Sequence, residues 1–420
     1  MKKYSSLFMF LMLACLGNAQ TLNELIGSAV TNYPKIKELQ GNVALADAKI
    51  QLAKSGYQPN IAINGSYNYV APVSKANFLG KEIQFQPNHN YNTYLSVSQT
   101  IWDFGRTNAS VQRAKEEQAQ VKENLKASEL GLAYQVAVLY NNIVLLQKNI
   151  ALQDAQIKLA YDNYKLVENK IKNGDALSYD LVNADVRVKV AENKKVDLLN
   201  QLEKQLNLLK FYTGNEQAQV TATSFESGKD AASNATSGNM DIALANSRLH
   251  AAQVDYKTSV SNFLPNLFAN GNAGWKNTYL PNIKEMRFNY VVGAGLNIPI
   301  YDAGKALAQR KMAKLAIETA KQNLLYAQQA ANKDVLQAQA DFNANQTRLQ
   351  NTAAIVKQAE AAFNLAQSRY KNGTLTWLDL ENARISAEDA RFSLIQLEYQ
   401  LALNKLEMNR IAGVRFWEGQ

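Results

Sequence analysis

Between Gly105 and Lys172 the chain has no proline, and its apolar residues fall into two interleaved seven-residue series. One is Leu132, Leu139, Leu146, Gln153, Ala160, Val167; the other is Val136, Ile143, Ile150, Ile157, Tyr164, Ile171, and only Gln153 is plainly polar. A heptad repeat sustained this long imposes a left-handed supercoil, and a helix over 105–172, at 1.5 Å per residue, makes a rod of roughly 100 Å. Residues 304–371 predict a second rod. Both end in Lys-Asn-Gly, at Gly174 and Gly373, a helix stop with a basic residue in the last turn. Return helices over 179–211 and 376–409 turn each rod into a hairpin.

Elsewhere the period changes to two. Residues 61–69 and 91–98 tend to alternate, and Phe288, Tyr290, Val292, Ala294, Leu296, Ile298 and Ile300 form one clean apolar face. The pattern predicts β-hairpins over 61–102 and 267–301. Runs of about ten residues of this kind suit tilted membrane strands, though a half-buried soluble hairpin has the same pattern.

The two halves repeat one another. Pro59 in Gln-Pro-Asn-Ile answers Pro265 in Leu-Pro-Asn-Leu; Trp102-Asp103-Phe104-Gly105 answers Tyr301-Asp302-Ala303-Gly304; and the two Asn-Gly stops match. The first half carries extra residues between Pro59 and Trp102, which places an exposed loop there. The domain reading is therefore a first repeat over 20–213, opening with a helix from Leu22 to about Gly56; a connector over 214–239, rich in Gly, Ser, Thr, Ala and Asn; and a second repeat over 240–420. No 18-residue run is uninterruptedly apolar after the N-terminus, so any membrane crossing falls to strands. Four strands cannot close a barrel, so several chains share one.

Composition narrows this picture. Lys2 and Lys3 precede an apolar run and Gly17-Asn18-Ala19, which reads as a signal peptide over 1–19. The one cysteine, Cys15, lies inside it, leaving the exported chain without disulfide or thiol chemistry; lipidation of Cys15 is the alternative. The net charge of +9 is dispersed with no basic block, which gives no sign of nucleic-acid binding. His89 and His250 stand in unlike contexts, with no catalytic or metal-ligand spacing and no cofactor motif.

The order and duplication of helix, hairpin, Asp-x-Gly turn, long helix and Asn-Gly tip, over essentially the whole mature chain, resemble the TolC-like outer membrane efflux family. That resemblance implies a mainly α fold with membrane β: duplicated long antiparallel helices plus β-hairpins, forming an oligomeric α-helical barrel continued by a shared transmembrane β-barrel. It implies a homotrimer in outer-membrane lipid extending into the periplasm, with a periplasmic adaptor and an inner-membrane pump of RND, ABC or MFS type as partners. The function implied is the exit duct of a tripartite efflux or type I secretion system, not an enzyme. A non-transporting coiled-coil structural protein is the alternative.

The resemblance also assigns residues. A periplasmic gate would center on Asp379, with Asn382 where the family has a second acid, Glu381 nearby, and Asp180 as the repeat equivalent of Asp379. A carboxylate repeated by symmetry makes a cation-favoring ring, although Asp379 could equally cap its helix. The tips Gly174, Asp175, Leu177, Ser178 and Gly373, Thr374, Leu375, Thr376 would dock the adaptor, with C-cap glycines as the plainer role. Tyr67, Tyr69, Tyr91, Trp275 and Phe288, with Trp102, Tyr301 and Tyr94, are candidates for aromatic girdles at the bilayer edges or for ordinary packing.

Overall fold

The computed structural model describes residues 21–228 and 238–418. The expected signal peptide with Cys15, and residues 229–237 of the connector, lie outside them. Two compact units result: residues 41–123 and 244–325 form one, and the remaining described residues the other.

The expected first helix is two. Helix α1 (Leu22–Asn32) starts with a reciprocal capping box, Thr21 accepting from the Glu24 amide at 3.3 Å and Glu24 accepting from the Thr21 amide at 3.0 Å. It stops because Tyr33 precedes Pro34: the ring crowds a helical Tyr33, which is extended at φ −62°, ψ 123°. Pro34 then opens α2 (Pro34–Lys54) at a position where its missing N–H costs nothing. The apolar period runs through the break, so periodicity alone hides it.

Strands β1 (Asn60–Tyr69), β2 (Lys75–Phe78), β3 (Lys81–Gln84) and β4 (His89–Trp102) follow, then α3 (Arg106–Lys172) and α4 (Ser178–Thr213). The second half contributes α5 (Met240–Ser261), β5 (Asn266–Lys276), β6 (Arg287–Asn297), α6 (Lys305–Lys371) and α7 (Trp377–Ile411). The inserted loop of the first half is itself a small hairpin, β2–β3, which its short strands kept below the length at which alternation registers. Strand β6 ends at Asn297, leaving Ile298 and Ile300 beyond it.

Both Asp-x-Gly motifs join a strand segment to a long helix. Asp103 accepts from the amides of Gly105 (3.0 Å) and Thr107 (2.7 Å), and Asp302 from those of Gly304 (3.1 Å) and Ala306 (2.6 Å). Each carboxylate so satisfies amides that the first helical turn would otherwise leave unpaired.

In the helical unit α3 supplies the core. None of its twelve heptad positions is exposed, and Leu132, Val136, Leu139 and Ile143 pack with Leu22, Leu25 and Ile26 of α1, Leu209 of α4 and Leu406 of α7. The polar seam residue is accounted for: Gln153 donates to the Ala191 carbonyl at 3.0 Å. Among the described residues α3 alone holds a window apolar enough by composition to cross a membrane, but 72% of that window is buried in the protein. It is a core helix.

The connector is less superficial than its composition suggests. Ala218 and Val220 join the core, as do Phe416 and Trp417 near the C-terminus. Asn141, 0% exposed, donates to the carbonyls of Glu226 (2.7 Å) and Ala137 (2.9 Å) and accepts from the Glu226 amide (2.9 Å). Asn141→Ala would strand two backbone groups of Glu226 away from water and is expected to cost about 2–6 kcal/mol, from roughly 1–3 for each buried unsatisfied group. Urea unfolding followed by far-UV circular dichroism checks it; a loss under 1 kcal/mol would mean that water reaches Glu226.

Candidate functional site

The sheet runs β1-β4-β5-β6, antiparallel throughout, and its two faces differ in kind. Register places Ile61, Ile63 and Tyr67 with Val97, Leu95 and Tyr91 on one face, followed across the sheet by Ala273, Trp275, Tyr290 and Phe288. That apolar face is the exposed one, Val292 at 80% and Tyr290 at 74%. The opposite face carries Asn64, Ser66, Asn92, Ser96, Asn270, Asn272, Asn289 and Gly293. A sheet that turns its apolar side outward and its amides inward is built for lipid outside and water inside.

The aromatic residues concentrate at the ends of this band. Tyr67 and Tyr91 face each other with ring centroids 5.2 Å apart, Trp275 and Phe288 at 5.5 Å, and Tyr69 packs on His89. At the other end Trp102 meets Phe104 edge-on at 6.1 Å. From Tyr91 to Trp102 the strand rises roughly 37 Å, or roughly 27 Å along the normal at the usual barrel tilt, close to the apolar height of an outer-membrane barrel. Tyr94 has the opposite parity to Tyr91 and stands with the Asn and Ser rows.

The helix tips present a different surface. Gly174 (φ +80°) and Gly373 (φ +73°) end α3 and α6 in matching left-handed turns, with Asp175 donating to the Lys170 carbonyl at 2.8 Å and Thr374 to the Arg369 carbonyl at 3.0 Å. Lys170 ties the two tips: its Nζ donates to the Tyr370 carbonyl at 3.2 Å and lies 3.9 Å over the Tyr370 ring. Burial, and then the charge of Asp180, push the Tyr370 phenol above its ordinary range. Tyr370, Ala366 and Leu380 form a small core with Leu375 and Trp377 packed against it, so Leu375 is not free at the surface. Leu177 is well exposed, as are Tyr179 and Leu378, which the motif-based reading of the tips passed over.

Asp379 and Asp180 occupy the third position of their helices. Asp379 accepts from the Thr376 hydroxyl at 2.6 Å while its own amide donates back to that oxygen at 3.2 Å, and Asp180 accepts from the Leu177 amide at 3.1 Å. Asp379 and Asn382 are exposed one turn apart on α7. Glu381 is turned away from them. At 2% exposed it is bound by Arg384 and by Arg187 of α4, each at 2.9 Å, while Arg384 also holds Glu388. Burial pushes the Glu388 carboxyl up, with Arg384 opposing. Glu381 is thus an internal tie between the hairpins and not part of an exposed acidic row, a distinction that adjacency in sequence does not reveal. Among the described residues no group of three His, Cys, Asp or Glu side chains could hold a metal ion.

A sheet sector with a lipid-compatible apolar face and an amide-lined opposite face, together with paired long helical hairpins, defines the class of oligomeric outer-membrane conduits. Residues 25–215 and 231–414 match the family model described as outer membrane efflux protein, and the chain belongs to that family. It is an outer-membrane efflux channel extending into the periplasm, and the family is one of channels, not enzymes. The chain is 21% identical to the outer membrane protein TolC of Vibrio cholerae across 98% of this chain and 96% of that one, and 21% identical to the outer membrane efflux protein BepC of Brucella suis across 92% and 83%. Its fold matches the crystal structure of VceC from Vibrio cholerae with a TM-score of 0.80 at 19% identity, covering 94% of this chain and 96% of that one.

Proposed function

We propose that three copies of the chain close one barrel and one helical tube, forming the passive exit duct through which an inner-membrane pump and a periplasmic adaptor discharge solutes. The observation that carries this reading is the four-stranded sheet with an apolar outer face and two open edges, β1 and β6. Unpaired edge groups in hydrocarbon cost several kcal/mol each, so only closure by further copies is tolerable. The helices point the same way. Leu307, Met312, Leu315, Tyr326 and Leu336 on α6, and Val182, Val186 and Val190 on α4, are exposed in one copy and call for cover. Recovery of the chain from outer-membrane fractions as a heat-labile trimer that conducts in planar bilayers tests the reading. A monomer without conductance would favor the coiled-coil structural alternative.

Within that duct Tyr67, Tyr69, Tyr91, Trp275 and Phe288 form the outer aromatic girdle, and the exposed tip residues Gly174, Asp175, Leu177, Ser178, Gly373, Thr374 and Thr376 meet the adaptor. Asp379 is the gate carboxylate, with Asn382 one turn deeper as a neutral neighbor. Asp180 contributes charge beside Tyr370. Asp379 serves also as a cap, so the two roles separate by substitution. Asp379→Asn keeps an acceptor for Thr376 and removes the charge, and is expected to lower cation over anion permeability about threefold or more with little loss of stability. Reversal potentials in a KCl gradient measure it; unchanged selectivity would leave Asp379 as a cap alone.

A further inference from the structure

The inward face of the sheet is nearly uncharged, and the exception is sharply placed. The four strands contain no Asp or Glu, and their only Lys and Arg are Lys276, the last residue of β5, and Arg287, the first of β6. The two are direct cross-strand partners. They stand one residue from the outward pair Trp275 and Phe288, Lys276 just after Trp275 and Arg287 just before Phe288, so both lie on the amide-lined face, in the row of Asn92 and Ser66. Like charges opposite one another destabilize a sheet. Relief is slight here: Lys276 has no ion-pair partner among the described residues, and Arg287 reaches only the exposed Glu285 at 3.4 Å while donating to the Leu280 carbonyl at 3.1 Å. Lys284 adds a further exposed cation in the adjoining loop. These residues sit at the hairpin end of the sheet, opposite the strand ends that lead into helices.

We infer that Lys276 and Arg287 form an anion-binding ring at the outer mouth of the pore, which takes small polyvalent anions such as phosphate-bearing solutes. The inference rests on the conduit reading. Threefold repetition brings three Lys276–Arg287 pairs around one opening, and a low-dielectric wall concentrates their field on it. A ring of fixed cations opposite a neutral lining attracts anions at the exit and holds polyvalent ones longest. Inward placement distinguishes the ring from basic residues that grip lipid phosphates on the outside of a barrel.

The test uses the full chain reconstituted in planar bilayers with sodium triphosphate added to one side at a time. Block is expected from the loop side at far lower concentration than from the helix side, weakening at least tenfold as KCl rises from about 0.1 to about 1 M, because the Debye length falls from roughly 10 to 3 Å. K276Q/R287Q is expected to lose that block at least tenfold in concentration, and K276R to retain it. Block that is symmetric, insensitive to salt or intact in K276Q/R287Q overturns the inference, and the wild-type sidedness and salt arms decide even if the double variant does not assemble. Absence of any wild-type conductance overturns the conduit reading instead.

Discussion

Val292→Arg is expected to abolish recovery of assembled protein from the outer membrane, while Val291→Arg beside it is tolerated and shifts ion selectivity. Val292 stands mid-strand on the apolar face of β6 and is 80% exposed in a single chain, whereas Val291 pairs with Asn272 on the amide face. An arginine facing lipid at mid-depth costs roughly 2–4 kcal/mol, and a ring of three copies multiplies it to roughly 6–12. That is comparable to the whole stability of an ordinary domain. Quantifying heat-labile oligomer in membrane fractions of the two variants measures the difference. Equal recovery would mean that the apolar face does not meet lipid.

The second large effect is expected at Glu381. Glu381→Ala removes a buried carboxylate shared by Arg187 and Arg384 and leaves Arg384, itself mostly buried, with Glu388 alone. Breaking a buried ion pair on one side costs about 3–5 kcal/mol, more than replacing both partners by apolar groups. The loss falls on the tie between α4 and α7, so amide exchange over residues 377–391 is expected to accelerate more than a hundredfold, while the region around Leu132 to Ile143 changes little. Uniform acceleration across both regions, or none, would refute the local tie.

How much of this was legible in the sequence varies with the range of the interaction concerned. The heptad seam of α3 was, because each apolar position on a long helix repeats the same requirement and Gln153 found a carbonyl within reach. The apolar face of β6 from Phe288 to Leu296 was as well, since side chains alternate along a strand, whereas the faces of β5 needed its register with β6. The break at Tyr33 was less visible, because Pro34 stops one helix and starts another without disturbing the apolar period. The burial of Ala218 and Val220 was hidden by a small, polar neighborhood whose contacts lie far off in sequence. At the tips, Asp379 and Glu381 look alike on paper; only the arrival of Arg187 from another helix makes one internal.

The exposed apolar residues of α6 carry a consequence for how the molecule comes into being. In the three-copy duct proposed above, Leu307, Leu315 and Leu336, exposed in one chain, gain their cover from neighboring copies, and a single chain has no finished state. Folding and encounter become one reaction, and stability acquires a dependence on protein concentration that steepens with the number of subunits. Dilution would then act on this protein as a denaturant does on others.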